Sequence, residues 1–251
     1  MEFASKLQEV TGKGYLSYSS IKESLKDMKL FELYMAGKLR KESDALRFGS
    51  MYDLLLFEPE KFQKQYFVLD DRSKLEEIGG KSPRSTKVYK QWLDEVQNTD
   101  KQIVTYDDWK KADEMVDRLK TCGVYDQYLQ GSYQEEFNTF LQDIPVRGFY
   151  DCLGGAYVSD SKTTQNLGKF KYDVFSFGYD IQAYIYVSVS GRKDFYWVAQ
   201  EKSYPYGITV FQASDDTLSS GERKFWRAIE LIKEWLFEDK QPIETFNFKT
   251  L

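Results

Sequence analysis

From residue 21 to residue 36, apolar side chains return at Ile21, Leu25, Met28 and Leu33, close to the period of an amphipathic helix. Ser17, Ser19 or Ser20 can cap its start, and Gly37 ends it. A second helical run starts at Ser50 within FGSMYDLLLFEPEKF, and Pro59 interrupts it before another turn because its ring and missing N–H break the ladder. Residues 70–84 are polar and carry Gly79, Gly80 and Pro83, the pattern of a long exposed loop. Charged amphipathic helices are predicted over residues 85–97 and 107–122.

The pattern changes after Gly131. Residues 133–141, 146–153 and 156–163 are short, aromatic or β-branched runs separated by turn-like Gln142–Pro145 and Gly154–Gly155, which predicts a three-stranded meander. A helix over 175–189, strands over 195–201 and 207–213, and an amphipathic helix over 221–236 follow. With no linker in sight, this order predicts one α/β or α+β domain over residues 1–251 with a central mixed β-sheet flanked by helices. Its N-terminal part, to about residue 130, is helical, and its sheet-containing core occupies about 131–251.

Composition narrows the chemistry. The 251 residues contain no histidine, which excludes Ser-His-Asp and Cys-His catalysis and every zinc site with an imidazole ligand. Two cysteines, Cys122 and Cys152, make neither a disulfide framework nor a four-thiolate zinc site. Metal chemistry must therefore use carboxylates, carbonyls and water, hence a hard cation such as Mg²⁺ or Mn²⁺. No stretch approaches the ~20 apolar residues of a bilayer-spanning helix, the mean hydropathy is −0.59, and MEFASKLQEVTGKG lacks an apolar export core. The expected location is the cytoplasm, with free thiols and no membrane partner. The net charge of −5 lies wholly in residues 126–251, since residues 1–125 balance. That argues mildly against a general nucleic-acid binder and accords with a cation site, although surface solvation explains it equally. Two local basic clusters, Lys38, Arg40, Lys41 and Arg47, and Lys81, Arg84, Lys87 and Lys90, can touch phosphates or form solvated helix faces.

The strongest constellation is Asp151 followed by Asp160-Ser161-Lys162. Residues two apart on a strand project from one face, so Asp160 and Lys162 share a side. A Gly154–Gly155 turn brings Asp151 to the neighbouring strand. Close carboxylates repel unless a cation lies between them, and the Ser161 carbonyl is a further hard ligand in reach. Lys162 can orient or deprotonate a water, or hold a phosphate, an assembly suited to phosphodiester hydrolysis. A solvent-facing salt bridge is the plain alternative for Asp-x-Lys. Tyr179, Gln182 and Tyr186 share one helix face and can meet a DNA backbone or base edges, or serve as core aromatics. Gly79-Gly80-Lys81-Ser82 lacks the first glycine of a phosphate-binding loop.

Asp151, Asp160-Ser161-Lys162 and GYDIQAYIY (residues 178–186) together resemble the PD-(D/E)xK nuclease core with its Q-x-x-x-Y helix. The whole chain resembles the RecE-type exodeoxyribonucleases (exonuclease VIII) of phages and prophages. The likeness runs through YLSYSSIK (15–22), LRFGSMYDLLLFEPEKF (46–62), VRGFYD (146–151), SDSKTT (159–164) and EKSYPYGI (201–208), about nine tenths of the chain in order. The resemblance implies a Mg²⁺-dependent enzyme, with Mn²⁺ able to substitute, that digests double-stranded DNA from an end, 5′ to 3′. It implies a single strand left for an annealing partner, subunits closed into a trimeric or tetrameric ring, and a bacterial cytoplasm as the setting. Asp151, Asp160, the Ser161 carbonyl and Glu136 become metal ligands, with Glu135 the neighbouring choice, and Lys162 the catalytic lysine. Gln182 and Tyr186 support them, and Gln182, Tyr186, Tyr179 and Arg84 contact DNA. Two positions depart from the family pattern. Its G-x-x-H motif reads Gly49-Ser50-Met51-Tyr52 here, and a neutral phenol is a poor Mg²⁺ ligand. Either the second metal position is weakened, or Asp53 or Glu136 takes over, or the enzyme is slow. Tyr150 stands where the family has proline before the first Asp.

Overall fold

The computed structural model describes residues 2–39 and 43–238. In chain order it begins with helices α1 (Glu2–Thr11), α2 (Tyr18–Lys26), α3 (Met28–Met35), α4 (Asp44–Phe57) and α5 (Pro59–Gln65). Strand β1 (Tyr66–Leu69), helices α6 (Arg72–Ile78) and α7 (Lys87–Gln97), strand β2 (Gln102–Thr105) and helices α8 (Tyr106–Thr121) and α9 (Val124–Tyr128) follow. Then come strands β3 (Ser132–Leu141), β4 (Ile144–Leu153) and β5 (Tyr157–Thr164), and helices α10 (Leu167–Ser176) and α11 (Tyr179–Ser190). Strands β6 (Asp194–Glu201) and β7 (Ile208–Gln212) and helix α12 (Asp215–Phe237) are the last of the described elements. Among the described residues, no helix is long and apolar enough to cross a membrane.

The described residues fall into two compact units, one of residues 2–39, 127–201 and 207–238, the other of 43–126 and 202–206. Helices α1 to α3, grouped by the sequence with the helical N-terminal part, therefore belong to the unit that holds the large sheet. That sheet has the order β3-β4-β5-β6-β7 and is mixed, with β5 and β6 parallel and the other neighbours antiparallel. A parallel pair needs a long crossover, and here it carries α10 and α11. Phe195 and Trp197 of β6, Val158 of β5, Tyr186 of α11, and Phe225 and Ile229 of α12 fill the core beneath it. In the second unit, β1 and β2 form a separate parallel pair.

Several predicted elements change at places with a physical cause. The helix over 21–36 is two helices, because Asp27 is extended and caps α3 with its carboxylate, which accepts the Lys29 N–H at 2.6 Å. A reciprocal capping box between Ser17 and Ser20 starts α2. The helix over 175–189 is also two, joined by Gly178 at a φ of 74°, a left-handed turn that glycine adopts without strain. Asn166 caps the first of them, which the sequence reading missed in its length. The loop over 70–84 contains α6 and a 3₁₀ turn at Pro83–Ser85, and the short strands β1 and β2 were not anticipated. The last helix begins earlier than predicted, at a Ser214 cap, which places Gly221 inside it. There a Cβ would lie 2.0 Å from the Asp180 carbonyl oxygen, so glycine is what lets α12 approach α11 this closely.

Candidate metal and catalytic centre

Strands β4 and β5 pair through Cys152↔Ser159 and Leu153↔Val158. The next residues along this hairpin are Asp151 and Asp160, and the pairing sets their carboxylates side by side. Asp151 Oδ2 accepts the Ser161 backbone N–H at 3.0 Å, and its Oδ1 accepts from Gln134 Nε2 at 3.3 Å. Asp160, only 2% exposed, accepts from Gln182 Nε2 at 2.7 Å on Oδ1 and forms an ion pair with Lys162 through Oδ2. The Lys162 side chain keeps 20% of its surface and its Nζ lies 5.0 Å from the centroid of the Tyr179 ring. The carboxylate is thus enclosed, and the Lys162 side chain is mostly buried beside it.

Electrostatics follow from two carboxylates opposed by one ammonium. Burial, and then the Asp160 charge, push the Asp151 carboxyl up to about 7, while Lys162 and the hydrogen bonds from Ser161 and Gln134 pull the other way. Burial works against the Lys162 ammonium, yet Asp160 and Asp151 outweigh it and hold its pKa above the ordinary lysine range. Burial also raises the phenol of Tyr186, with Asp160 and Asp151 adding to it.

Helix α11 brings Gln182 to Asp160, and a buried polar lock fixes the start of that helix. Asp180 is fully buried; its Oδ2 accepts from Ser220 Oγ at 2.8 Å and from Lys224 Nζ at 2.7 Å. Its Oδ1 accepts the Ile181 N–H at 3.1 Å. One turn beyond Gln182, Tyr186 packs among Phe137, Tyr150 and Phe195, so this member of the Q-x-x-x-Y pair is also a core aromatic.

Asp151, Asp160, Ser161, Lys162, Gln182, Tyr186 and Tyr179 are therefore brought together. Glu136 is not: it is exposed and ion-paired with Arg147, which also donates to the Tyr15 hydroxyl at 2.9 Å. Arg147 also lines a cleft of about 270 Å³ with Lys13, Tyr15, Tyr34 and Phe149. Glu135 is exposed as well, opposite Tyr150. Arg84 lies in the second unit, where Asp71 holds its guanidinium through Nε at 2.9 Å and Nη2 at 3.2 Å. Tyr52 and Asp53 lie on α4 in the same unit, with Tyr52 buried. Arg47 pairs with Asp44, and Arg40 and Lys41 of its basic cluster lie outside the described residues.

Two residues of the centre escaped the sequence reading. Gln134 lies between the pairs Tyr133↔Cys152 and Glu135↔Tyr150, directly across from Asp151, at a φ of 51° that is rare outside glycine. Counting register back from the β3–β4 turn would have found it. Tyr18 of α2 donates to the Phe177 carbonyl at 2.6 Å and accepts from Lys22 Nζ at 3.3 Å. Burial raises its phenol, and Lys162, Tyr179 and Asp160 all act on it.

Among the described residues no three His, Cys, Asp or Glu side chains converge on a metal position. The donor set still fits Mg²⁺, which takes one or two carboxylates and completes its oxygen shell with waters and substrate phosphates. The raised Asp151 and the single compensating ammonium mark a cluster short of positive charge.

The sequence matches the family described as "PDDEXK-like domain of unknown function (DUF3799)" over residues 17–247, and the chain belongs to it. Its fold is similar to a crystal structure titled "putative exonuclease", from Eubacterium rectale. The TM-score is 0.65 at 17% identity, covering 91% of this chain and 83% of the other. No curated protein matches the sequence. The PDDEXK-like fold and its mixed, helix-flanked sheet agree with the architecture expected from the sequence.

Proposed function

We propose that the chain is a Mg²⁺-dependent exonuclease that hydrolyses double-stranded DNA from an end, 5′ to 3′, leaving a single strand for recombination or repair. The observation that carries this reading is the joining of Asp151, Asp160 and Lys162 on adjacent strands, with Gln182 fixing Asp160. Asp151 and Asp160 would hold the ion, Mg²⁺ or Mn²⁺, with the Ser161 carbonyl as a further oxygen. When bound, the ion balances the carboxylates, withdraws charge from the scissile phosphate and favours hydroxide over water. Lys162 donates from Nζ to a phosphate oxygen as negative charge grows there. The water oxygen bonds to phosphorus and releases a proton to solvent as the bond to the neighbouring nucleotide breaks, and the leaving oxygen takes up a proton from solvent. Gln182 keeps Asp160 oriented, and Tyr179 supports the Lys162 ammonium with its ring face. DNA ends are the substrate in this reading, with an annealing protein downstream and a homo-oligomeric ring as the working form.

The test compares linear 5′-phosphorylated duplex with closed circular duplex, with Mg²⁺, with Mn²⁺ and with EDTA. Metal-dependent loss of the linear DNA alone, reduced about 10³-fold in Lys162→Ala, is the expected result. Equal digestion of the circle means an endonuclease. The phenol at Tyr52 favours a second reading, a catalytically silent DNA-binding or inhibitory module of the same fold. Folded protein that binds DNA ends and digests nothing with either metal would establish it.

A further inference from the structure

Lys202 opens the loop over residues 202–206 and is 7% exposed. Its Nζ lies 5.5 Å from the ring centroid of Phe48 on α4, and the Nζ of Lys111 on α8 lies 5.5 Å from the same centroid. Two ammonium groups thus share one aromatic ring, an arrangement in which cation–π attraction is opposed by their mutual repulsion. Among the described residues neither forms an ion pair or a hydrogen bond. Burial, and then the Lys111 charge, push the Lys202 pKa below the ordinary lysine range, and no carboxylate acts against them. The acid three residues on from Lys111, Glu114, is engaged elsewhere: it accepts from the Tyr206 hydroxyl at 2.9 Å and pairs with Lys110 at 3.8 Å. That same Tyr206 bond ties the loop carrying Lys202 to the helix carrying Lys111. The Tyr206 N–H closes the loop on the Ser203 carbonyl at 2.8 Å. The pair is held in place by the fold and, among the described residues, has no carboxylate partner.

We propose that Lys202 and Lys111 form an oxyanion site that takes a phosphate of the DNA backbone. A buried lysine is ordinarily paired, and two lysines on one ring with no carboxylate partner among the described residues suit an anion from outside. A tetrahedral phosphate offers several acceptor oxygens to an ammonium group, and a phosphodiester carries its charge there permanently. Naming DNA as the source rests on the nuclease reading; the anion chemistry does not. These lysines belong to a different compact unit from Asp151.

The test uses the full chain in EDTA, so that binding is read without cleavage. Lys202→Met and Lys111→Met keep the hydrocarbon stems and remove the charges. Each is expected to weaken binding of a labelled linear duplex by about three- to tenfold near physiological salt. Each also lowers the slope of log affinity against log salt by about one. In a second arm, millimolar inorganic phosphate raises the Tm of the parent and leaves that of the double variant unchanged. Parental affinity and slope in Lys202→Met overturn the DNA assignment, whatever the phosphate arm gives. A phosphate effect equal in parent and double variant overturns the anion site itself. A parent that binds no duplex sinks the nuclease reading, and the phosphate arm alone then decides the site.

Discussion

Two charged clusters in this chain are built with opposite signs and by opposite means. Around Asp151, two carboxylates face one ammonium, and Ser161, Gln134, Gln182 and Lys162 all supply donors to their oxygens. Around Phe48, two ammonium groups approach one ring, and among the described residues neither has a carboxylate partner. Hydrogen bonds aim the first cluster; packing aims the second. Either excess of charge opposes folding, since a partly buried charge without a partner is costly. The negative excess suits a divalent cation, and the positive excess suits a phosphate. A protein that brings a metal ion to a nucleic-acid backbone has use for both, with separate consequences when each is removed.

The largest expected difference between them is kinetic. Asp160→Ala removes the partner of both Lys162 and Gln182 and should lower the rate at saturating DNA by about 10³-fold. Lys202→Met should leave that rate within about threefold of the parent and act on affinity alone. Similar losses of rate in both would erase the distinction between a reacting cluster and a holding one. Thermal stability separates them next. Asp151→Asn removes one of two repelling carboxylates, so in EDTA its Tm should rise by a few degrees, the equivalent of about 1 kcal/mol. Mg²⁺ should then raise the Tm of the parent and not of the Asn variant. An Asn variant that is less stable than the parent in EDTA would mean that the carboxylate is fully compensated by Lys162, Ser161 and Gln134.

The two clusters also differ in how far the sequence revealed them. Asp160 and Lys162 lie two apart on a strand, Asp151 is one tight turn away, and Gln182 shares a helix face with Tyr186, so local periodicity was enough. The same logic found the three strands of the meander and the strands over 194–201 and 208–212 within a residue or two. It failed where a break depends on one backbone angle, as at Asp27 and Gly178, whose neighbours keep the helical pattern across it. It failed for β1 and β2, because four-residue parallel strands carry no hairpin signal. Glu136 fits by type and position alone, whereas Arg147 on the neighbouring strand competes for it only in the folded register. Phe48, Lys111 and Lys202 are far apart along the chain and no period links them, so that cluster is visible only in three dimensions.

Smaller effects sharpen the first cluster from within. Gln182→Leu keeps the volume and removes the amide that orients Asp160, so the Mg²⁺ concentration for half-maximal activity should rise about tenfold. The rate at saturating Mg²⁺ should stay near that of the parent. A fall in rate that excess Mg²⁺ does not restore would make Gln182 a group that meets the DNA itself.

The smallest expected effect belongs to Glu136, and it decides which residue completes the centre. Its carboxylate is 43% exposed and engaged by Arg147, whereas Gln134 donates to Asp151 directly. Glu136→Gln should therefore change the Mg²⁺ requirement by less than about twofold, within the range of an exposed ion pair. Gln134→Leu should raise that requirement severalfold, by freeing Asp151 to rotate away from the strand edge. The reverse order would mean that Glu136 leaves Arg147 when metal and DNA arrive. In that case Arg147→Ala, which frees Glu136 beforehand, should lower the Mg²⁺ requirement below that of the parent.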